Sequence, residues 1–491
     1  MKSEILPENN FKYKLDFLKR FNALNYRGES LSHQKIFDRY NVWVFFQSRI
    51  FFNDLREFGG GKVVLEGKPP AFKIRIQDFV LSSFGILESL VAVVSTLVFK
   101  RKFMVYGVDR DNSKVFANDA RMDPVYQYLR SSSKPFIEFM HTTFDLDLLK
   151  RFVRRKRFVF YIRAIDPLFY LLASLGLVRR EPLRIEEMDL SAFDEREKVF
   201  VLNLLRKYLS KIGLIVFKVK VLRAVLHWIG AETLLAIDNT RDYWEMILAC
   251  RMNGIKVYAF QHGHFTKYHV GWLNDGTFDG EIAHPDKLFV WSDFWKQELL
   301  RLGTYFPEDS IEVGGLKSAV NEGTERSKRE DIGVLMPYEV DANKKEVKEY
   351  IDRMLSCGNM KIFFKLRTDI DSARQLDEYG LGEDYHPSLK VITDASKHIH
   401  EVDIIAGTYS TFLYDMVAFE RPIVLLETSS DFGEGLVLNG LADPVHLGNI
   451  CEKIKEIAST SKGVLIGRKE KLFGKSPVLM YHTIQRLCSK I

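Results

Sequence analysis

A histidine just beyond an apolar run is the first candidate for chemistry in this sequence. His262 follows the run VYAF within the stretch FQHGHF, and Gly263 permits a tight turn there. Ligands of open α/β sheets bind beyond the carboxyl ends of the strands, so His262 is expected to point into a cleft, as a base or as a hydrogen-bond donor to phosphate. Two alternatives remain open. One is a buried structural histidine, and the other is a metal site with His264 and His269, for which no nearby cysteine or paired carboxylate supplies further ligands.

The segment 403–427, DIIAGTYSTFLYDMVAFERPIVLLE, carries hydroxyl groups where a helix is predicted to begin. Its strand ends at Gly407, and Thr408, Ser410 and Thr411 follow directly. Hydroxyl and free N–H groups at a helix N-terminus suit an anion such as a diphosphate. The alternative is that Ser410 or Thr411 only caps the helix, and one residue can do both.

Charged side chains follow other predicted strands. Lys365 and Arg367 alternate after the run IFF, so they share one face and can pair with phosphate oxygens, unless they merely protect an exposed sheet edge. Lys317 follows a turn in which Gly315 permits a close backbone approach. Two carboxylates complete the candidates. Asp238, after TLLAI, is a candidate catalytic carboxylate on the acceptor side, and Glu427, after VLL, is a candidate donor- or phosphate-binding residue.

The elements that must position these residues alternate between strand and helix. FMVYGV, KPFIEFMH, TLLAI, IKVYAF, KLFVWS and SIEVGG read as strands, with a helix closed by Gly254 and another ending at Gly303. After the polar run 321–331, five more strands are predicted: IGVLMPY, KIFFKL, LKVIT, VDIIAG and PIVLLE. Such repeated βαβ units imply parallel sheets, so the predicted class is α/β with two facing Rossmann-like domains.

The same pattern predicts the domain boundaries. Residues 1–75 form an N-terminal extension with no predicted function, and residues 76–325 form the first domain, with a basic amphipathic helical insertion at about 150–229. Residues 326–455 form the second domain. A helical segment, 456–491, is expected to cross back to the first domain.

The charge and hydropathy of the sequence bear on two kinds of partner, nucleic acid and a lipid surface. Lys and Arg exceed Asp and Glu only by 71 to 65, so binding of nucleic acid is not expected. The run Lys150–Arg157, KRFVRRKR, holds six cations in eight residues and either faces anionic lipid or forms a solvated helix face. The apolar segment Phe79–Phe99 contains Glu88, so a buried or interfacial helix is predicted in preference to a membrane span.

Cysteine spacing and the N-terminus predict an intracellular protein. Cysteines at 250, 357, 451 and 488 form no CxxC pair or even framework, so neither disulfides nor a structural zinc site is expected. The N-terminal stretch lacks the apolar core of a secretory signal. A reducing, cytoplasmic location is therefore predicted.

Taken in order, these motifs resemble the bacterial CDP-glycerol glycerophosphotransferase and capsular polysaccharide glycosyltransferase superfamily. The resemblance covers roughly residues 230–430. It comprises a strand ending in QHG, a serine-led helix (Ser292 to Gly303), a strand ending in a glycine turn (Gly314, Gly315), a lysine-bearing strand, and an aspartate-led strand that runs into a hydroxyl-rich turn, a helix and a proline-led strand.

The resemblance implies a GT-B fold and a metal-independent enzyme without cofactor. Such an enzyme transfers a sugar or polyol phosphate from a nucleotide-activated donor to a cell-surface polysaccharide or lipid-linked acceptor at the inner face of the cell membrane. It implies that His262 lies at the reaction centre, that Ser410 and Thr411 hold the donor phosphates, and that Lys365 and Arg367 neutralise the leaving group. An anionic membrane surface is an expected partner.

Two departures from the family pattern bear on the donor. This chain has Gly-Thr-Tyr-Ser-Thr at 407–411 where many relatives have Asp-Tyr-Ser-Ser, and it has Leu-Arg-Thr at 366–368 where sialyltransferase-like members have His-Pro. A UDP-, GDP- or CDP-linked donor is therefore favoured over CMP-sialic acid. Two other functions remain open: a non-catalytic component of a polysaccharide assembly complex, expected if His262 is buried and the cleft is closed, and a UDP-sugar 2-epimerase.

Overall fold

The protein is described by a computed structural model. It describes residues 11–59, 76–99, 101–108, 119–141, 150, 152–153, 155, 157–178, 185, 188–238, 243–274, 276–318, 330–368, 370–382 and 385–489.

The N-terminal segment 11–59 contributes aromatic side chains to the core and touches both domains. Its elements are α1 (Phe11–Asn22), the hairpins β1 (Asn25–Tyr26)–β2 (Glu29–Ser30) and β3 (Lys35–Ile36)–β4 (Tyr40–Asn41), α2 (Val44–Arg49), a π-helical turn (Ile50–Asp54) and α3 (Leu55–Gly59). The Phe11 ring packs 4.5 Å from that of Phe432, between ring centres, and Arg56 pairs with Asp341 at 2.7 Å. Both partners belong to the second domain, so this segment bridges the two.

Seven parallel strands form the first sheet, in the spatial order β11-β10-β9-β8-β5-β6-β7. They are β5 (Phe103–Val108), β6 (Phe136–His141), β7 (Phe160–Tyr161), β8 (Thr233–Ile237), β9 (Lys256–Phe260), β10 (Lys287–Val290) and β11 (Ile311–Val313). The accompanying helices are α4 (Ile76–Phe99), α5 (Asp123–Ser131), α6 (Ile165–Ser174), α7 (Glu195–Ile229), α8 (Tyr243–Met252) and α9 (Asp293–Arg301). Each predicted strand of this half is present, and β7 is an addition.

Helix α7 is a 35-residue element with clear sequence signals at both ends. The Asp194 side chain accepts from the N–H of Glu197 at 2.7 Å, and the Glu197 side chain accepts from the N–H of Asp194 at 3.1 Å. The helix ends at Gly230, whose φ of 61° is left-handed. It packs against α6 and α8, so the basic and apolar stretch at 150–229 includes a core helix.

Six parallel strands form the second sheet, in the order β14-β13-β12-β15-β16-β17. They are β12 (Ile332–Pro337), β13 (Met360–Lys365), β14 (Leu389–Ile392), β15 (Ile404–Gly407), β16 (Ile423–Leu426) and β17 (Asp443–Val445). The helices are α10 (Lys344–Ser356), α11 (Ser372–Tyr379), α12 (Thr411–Met416), α13 (Glu434–Leu438) and α14 (Ile450–Ala458). All five predicted strands are present.

The expectation of no disulfide is wrong for one pair of cysteines. Cys357 and Cys451 are bonded across 94 residues of sequence and join the end of α10 to α14, with 5.9 Å between their Cα atoms. Cys250 and Cys488 are free and buried. Sequence spacing alone cannot detect such a pair, because only the packing of α10 against α14 brings the two residues together.

The C-terminal helices α15 (Lys462–Phe473) and α16 (Met480–Cys488) return to the first domain. Ser292 donates to the carbonyl of Leu472 at 2.5 Å, and the N–H of Met480 donates to the carbonyl of Leu316 at 2.7 Å. Helix α16 packs against α5. The two Rossmann-like domains face each other across a cleft, which confirms the predicted α/β fold of the GT-B kind.

Helix α4 lies against strands β6 and β7. By length and composition it is the one helix of the described residues that could span a membrane. Its Glu88 forms a buried ion pair with Arg155 at 2.8 Å, and Arg157 pairs with Glu138. Two cations of the KRFVRRKR run are therefore used inside the protein, whereas Arg151, Arg154 and Lys156 lie outside the described residues.

Candidate functional site

A cleft of about 330 Å³ opens between the domains, beyond the carboxyl ends of the strands of the first sheet. Its polar lining comes from both domains. The first domain supplies Arg121, Gln261, His262, Lys317 and Ser318, and the second supplies Thr411 and Asp415. Three of the predicted site residues, His262, Lys317 and Thr411, therefore meet in one place.

His262 is held by Asp238, which follows the neighbouring strand β8. The ring Nδ1 of His262 lies 2.5 Å from Asp238 Oδ1, and the same oxygen accepts from the N–H of His262 at 2.9 Å. An ionised carboxylate requires the proton on Nδ1, which leaves Nε2 as the nitrogen able to accept a proton. Asp238 is fully buried, while the His262 side chain is 27% exposed. The cleft therefore presents a half-buried histidine held by a buried aspartate.

The loop after β9 is fixed by hydrogen bonds of Gln261. Its side chain donates to the carbonyl of Gly263 at 2.7 Å and accepts from the N–H of Trp291 at 2.9 Å. Farther along, His264 Nδ1 lies 2.6 Å from Thr411 Oγ1 and joins the two domains. Burial, together with a smaller effect of the nearby His262, lowers the pKa of His264 to about 3. His264 is therefore neutral and structural.

The three histidines of this loop do not converge on one point. His269 Nδ1 accepts from the hydroxyl and the N–H of Thr266 at 2.9 and 3.1 Å, whereas His264 faces Thr411. Within the described part of the chain, no three histidine, cysteine, aspartate or glutamate side chains are grouped to hold a metal ion.

Two cations of the first domain line the cleft. Lys317 is exposed after a turn where Gly315 is required, because a Cβ there would lie 2.1 Å from the carbonyl oxygen of Phe289. Arg121 is held by the buried Asp119, with Nε to Oδ1 at 2.9 Å and Nη2 to Oδ2 at 2.5 Å. A fixed guanidinium and an exposed ammonium that line the same cleft suit binding of an anion such as a phosphate.

Asp415 contributes a carboxylate on the opposite wall. It is exposed to the cleft yet enclosed by protein on several sides. This desolvation raises its pKa to about 7, against the opposing effect of the Lys317 and Lys365 charges. Lys365 lies nearby, with its Nζ 5.1 Å from the ring centre of Phe412. Asp415 therefore shares the field of two cations that a phosphate would also use.

The hydroxyl-rich turn predicted to bind phosphate holds a carboxylate of the protein itself. The buried Glu339 accepts from the N–H groups of Thr408, Tyr409 and Ser410 at 2.8, 2.9 and 2.7 Å, and from the Thr408 hydroxyl at 2.6 Å. The Ser410 hydroxyl caps α12 by accepting from the N–H of Phe412 at 3.2 Å. A phosphate would have to displace Glu339 to reach these N–H groups.

Of the remaining predicted residues, two are glycines and two have exposed side chains. Gly407 allows the close packing of Glu339, because a Cβ there would lie 3.2 Å from Glu339 Oε1. A Cβ on Gly263 would meet Thr411 at an ordinary 3.9 Å, so that turn does not require glycine. Arg367 and Glu427 are exposed and do not line the cleft.

Comparisons with known proteins find similar folds and no family. No protein-family model matches the chain, and no curated protein matches its sequence. Three similar solved structures each align with 79% of this chain. S. aureus MnaA with UDP has a TM-score of 0.44 and 12% sequence identity, with 95% of its own chain covered. The glycotransferase of kitacinnamycin has a TM-score of 0.46, 10% identity and 98% of its chain covered, and the Methanocaldococcus jannaschii UDP-GlcNAc 2-epimerase with UDP-GlcNAc and UDP has a TM-score of 0.43, 11% identity and 100% of its chain covered. These similarities concern the arrangement of strands and helices, not the roles of side chains.

Three residues of the site, Arg121, Asp415 and Glu339, were not predicted from the sequence. A usable signal existed for Asp415, which comes four residues after Thr411 and so shares its helix face. Glu339 lies two residues after the end of β12, near a strand end like the other candidates. Arg121 lies in a turn before α5, and no local pattern connects it to the cleft.

Proposed function

We propose that the protein is a transferase that moves a sugar or polyol phosphate from a nucleotide-activated donor to a cell-surface polysaccharide or lipid-linked acceptor, without a metal. The observation that carries the proposal is the His262–Asp238 pair on the wall of a cleft that also presents Arg121 and Lys317. A base next to two cations suits removal of a proton from an acceptor hydroxyl while a phosphate leaves. The proposed place of action is the cytoplasmic face of the cell membrane, where a lipid-linked acceptor is embedded.

His262 is the proposed base. The acceptor oxygen attacks the anomeric carbon of the sugar, or the phosphorus of a polyol phosphate, and gives its proton to Nε2 of His262. The bond between the transferred group and the phosphate oxygen of the nucleotide breaks, and the nucleotide leaves with the electron pair. The Asp238 carboxylate stabilises the imidazolium that forms, because its Oδ1 already lies 2.5 Å from Nδ1.

The leaving phosphate is the proposed partner of the cations. Lys317 and Arg121 would neutralise its charge, with Lys365 close by on the other domain. Arg121 needs little reorganisation for this role because Asp119 already fixes its position. The cations would thus do what a metal ion does in other transferases.

Two features favour an enzyme over a non-catalytic assembly component. His262 is accessible rather than buried. The cleft, at about 330 Å³, also falls within the range of about 300–1,000 Å³ typical of small-molecule sites. A non-catalytic assembly component would not be expected to have an open cleft with an accessible base.

The proposed function is tested first by nucleotide binding and then by turnover. Thermal-shift measurements with CDP, UDP, GDP, CMP and their common sugar conjugates should give stabilisation by one nucleotide, lost in Lys317→Ala. Nucleotide release from the matching conjugate is then measured with acceptor present. Asp238→Asn should lower kcat by about 10²–10³-fold, because the imidazolium loses its stabilising partner, while nucleotide affinity changes little.

Matched controls are available on the exposed surface of the second domain. Lys390→Ala and Asp377→Asn alter exposed residues outside the cleft, so both should behave like the wild type. Stabilisation by no nucleotide would contradict the proposal, and unchanged turnover in Asp238→Asn would remove His262 from the role of base. Conversion of a UDP-sugar without acceptor would instead identify a 2-epimerase.

A further inference from the structure

Helix α4 exposes apolar side chains and buries small or polar ones, the reverse of an ordinary surface helix. Between residues 85 and 99, its inward side chains are small or polar and its outward ones are apolar. The inward set is Gly85, Glu88, Ser89, Ala92 and Thr96. The outward set is Leu87, Leu90, Val94, Leu97, Val98 and Phe99, which are 47% to 68% exposed. A helix between a protein core and water has the opposite distribution.

The inward polar side chains fasten α4 to the first domain. Glu88 pairs with the buried Arg155 and accepts from the N–H of Val159 at 3.1 Å. Ser89 accepts from the N–H of Tyr161 at 3.0 Å. A transmembrane orientation would break these bonds and leave a carboxylate unpaired in hydrocarbon. The apolar face of α4 therefore acts while the helix stays on the protein.

Helix α6 and the residues that follow it also expose leucine side chains. Leu168 and Leu171 lie one turn apart on α6 and are 41% and 57% exposed, and Leu175 and Leu177 beyond it are 63% and 71% exposed. Both α4 and α6 pack on the turn Ile162–Ala164. The outward side chains of α4 and α6 are called the apolar face below.

A cationic and aromatic groove adjoins the C-terminal end of α4. It has a volume of about 880 Å³ and is lined by Phe99, Phe152, Phe158, Arg101, Arg130 and Lys134, among others. Burial lowers the pKa of Arg130, and the like charge of Arg157 lowers it further. An anion in the groove would relieve this repulsion. Because α4 ends just before β5 begins, the groove lies at the amino edge of the first sheet, opposite the catalytic cleft.

We propose that the apolar face and the groove dock the protein on an anionic phospholipid bilayer. The leucines, valines and Phe99 enter the acyl boundary with α4 parallel to the membrane, and Arg101, Arg130 and Lys134 meet the lipid phosphates. The outward aliphatic stripe carries no hydrogen-bonding group, whereas protein interfaces have about one hydrogen bond per 100–200 Å². Its cationic margin complements an anionic lipid surface.

Vesicle sedimentation of the full chain tests this docking. Wild-type protein should pellet with vesicles of phosphatidylcholine plus phosphatidylglycerol, less with phosphatidylcholine alone, and less as salt rises. Leu90→Gln/Val94→Gln/Leu97→Gln should reduce the bound fraction at least about tenfold, because three apolar side chains leave the interface. The matched control Leu438→Gln/Val464→Gln/Val478→Gln changes residues that are 70%, 48% and 38% exposed in the second domain and at α15 and α16, and should bind as the wild type does.

A second variant keeps the test independent of folding. Arg130→Gln should weaken binding to the anionic vesicles several-fold while leaving binding to phosphatidylcholine alone unchanged. Wild-type protein that stays in the supernatant, or a triple variant that binds normally, would overturn the proposal. Light scattering that finds a wild-type dimer and a monomeric triple variant without lipid would assign the face to a second copy. Nucleotide stabilisation should persist in the triple variant, so docking and the proposed reaction fail or succeed separately.

Discussion

At the scale of single residues, the cleft places one carboxylate among cations that the proposed donor needs. Asp415 has a pKa near 7 because desolvation outweighs the attraction of Lys317 and Lys365. Above that pH the carboxylate is charged and competes with a phosphate for both cations. Below it the carboxyl group is neutral and no longer competes with a phosphate.

This competition predicts that nucleotide affinity depends on pH through Asp415. Affinity of the wild type for a nucleoside diphosphate sugar, whose phosphates do not titrate in this range, should rise as pH falls from 8 to 6. Asp415→Asn should bind more tightly at pH 8 by about fivefold, or about 1 kcal/mol, and should show little dependence on pH. Isothermal titration calorimetry at pH 6, 7 and 8 measures both effects.

The control for Asp415 is the same substitution at an exposed aspartate outside the cleft. Asp377→Asn should keep both the affinity and the pH profile of the wild type. Equal affinity of wild type and Asp415→Asn at pH 8 would show that the carboxylate does not compete for the cations.

At the scale of elements, Glu339 ties strand β12 to the turn between β15 and α12. Its carboxylate accepts three backbone N–H groups and one hydroxyl of this turn. The turn in turn sets the position of Thr411 and Asp415 on the wall of the cleft. Glu339 is therefore a positioning residue and does not line the cleft itself.

Glu339→Gln should destabilise the second domain. A glutamine side chain has one acceptor oxygen and no charge, so several charge-assisted hydrogen bonds of the turn are lost. We expect a loss of about 2 kcal/mol in the free energy of unfolding, measured with urea. Glu349→Gln, at an exposed position of α10, should stay within about 0.5 kcal/mol of the wild type. A stable Glu339→Gln protein would mean that the turn holds its shape without the carboxylate.

The elements were easier to predict from sequence than the contacts between them. Buried parallel strands appear as continuous apolar runs, so most strands of the two sheets could be located. Strands β7 and β17, with two and three residues, and the two-residue strands β1 to β4 were not predicted. His262, Lys317 and Thr411 could be predicted because they follow the carboxyl ends of strands in the two sheets, and these ends meet at the cleft. Arg121 and the Glu339 contacts were not, because they depend on packing between residues distant in sequence.

At the scale of the whole molecule, the contact between domains includes buried neutral histidines. His264 meets Thr411 across the cleft, and Lys267 pairs with Asp431 and Glu434 at 3.0 Å each. Burial holds the pKa of His264 at about 3 and that of His269 well below its ordinary value. The folded protein therefore takes up no proton at either ring near neutral pH.

This difference predicts that stability falls with acid. In the unfolded chain both histidines bind protons as pH drops through about 6.5, while the folded protein does not, so acid favours unfolding. Each histidine should remove up to about 1.4 kcal/mol of stability per pH unit below about 6. Urea unfolding at pH 5, 6 and 7 measures the slope of the free energy of unfolding against pH.

His264→Gln lowers stability at neutral pH by altering the Thr411 contact. It should also reduce this slope by the contribution of about one proton. His482→Gln, at an exposed position, should leave the slope unchanged, and an equal slope in His264→Gln would mean that His264 is protonated in the folded protein.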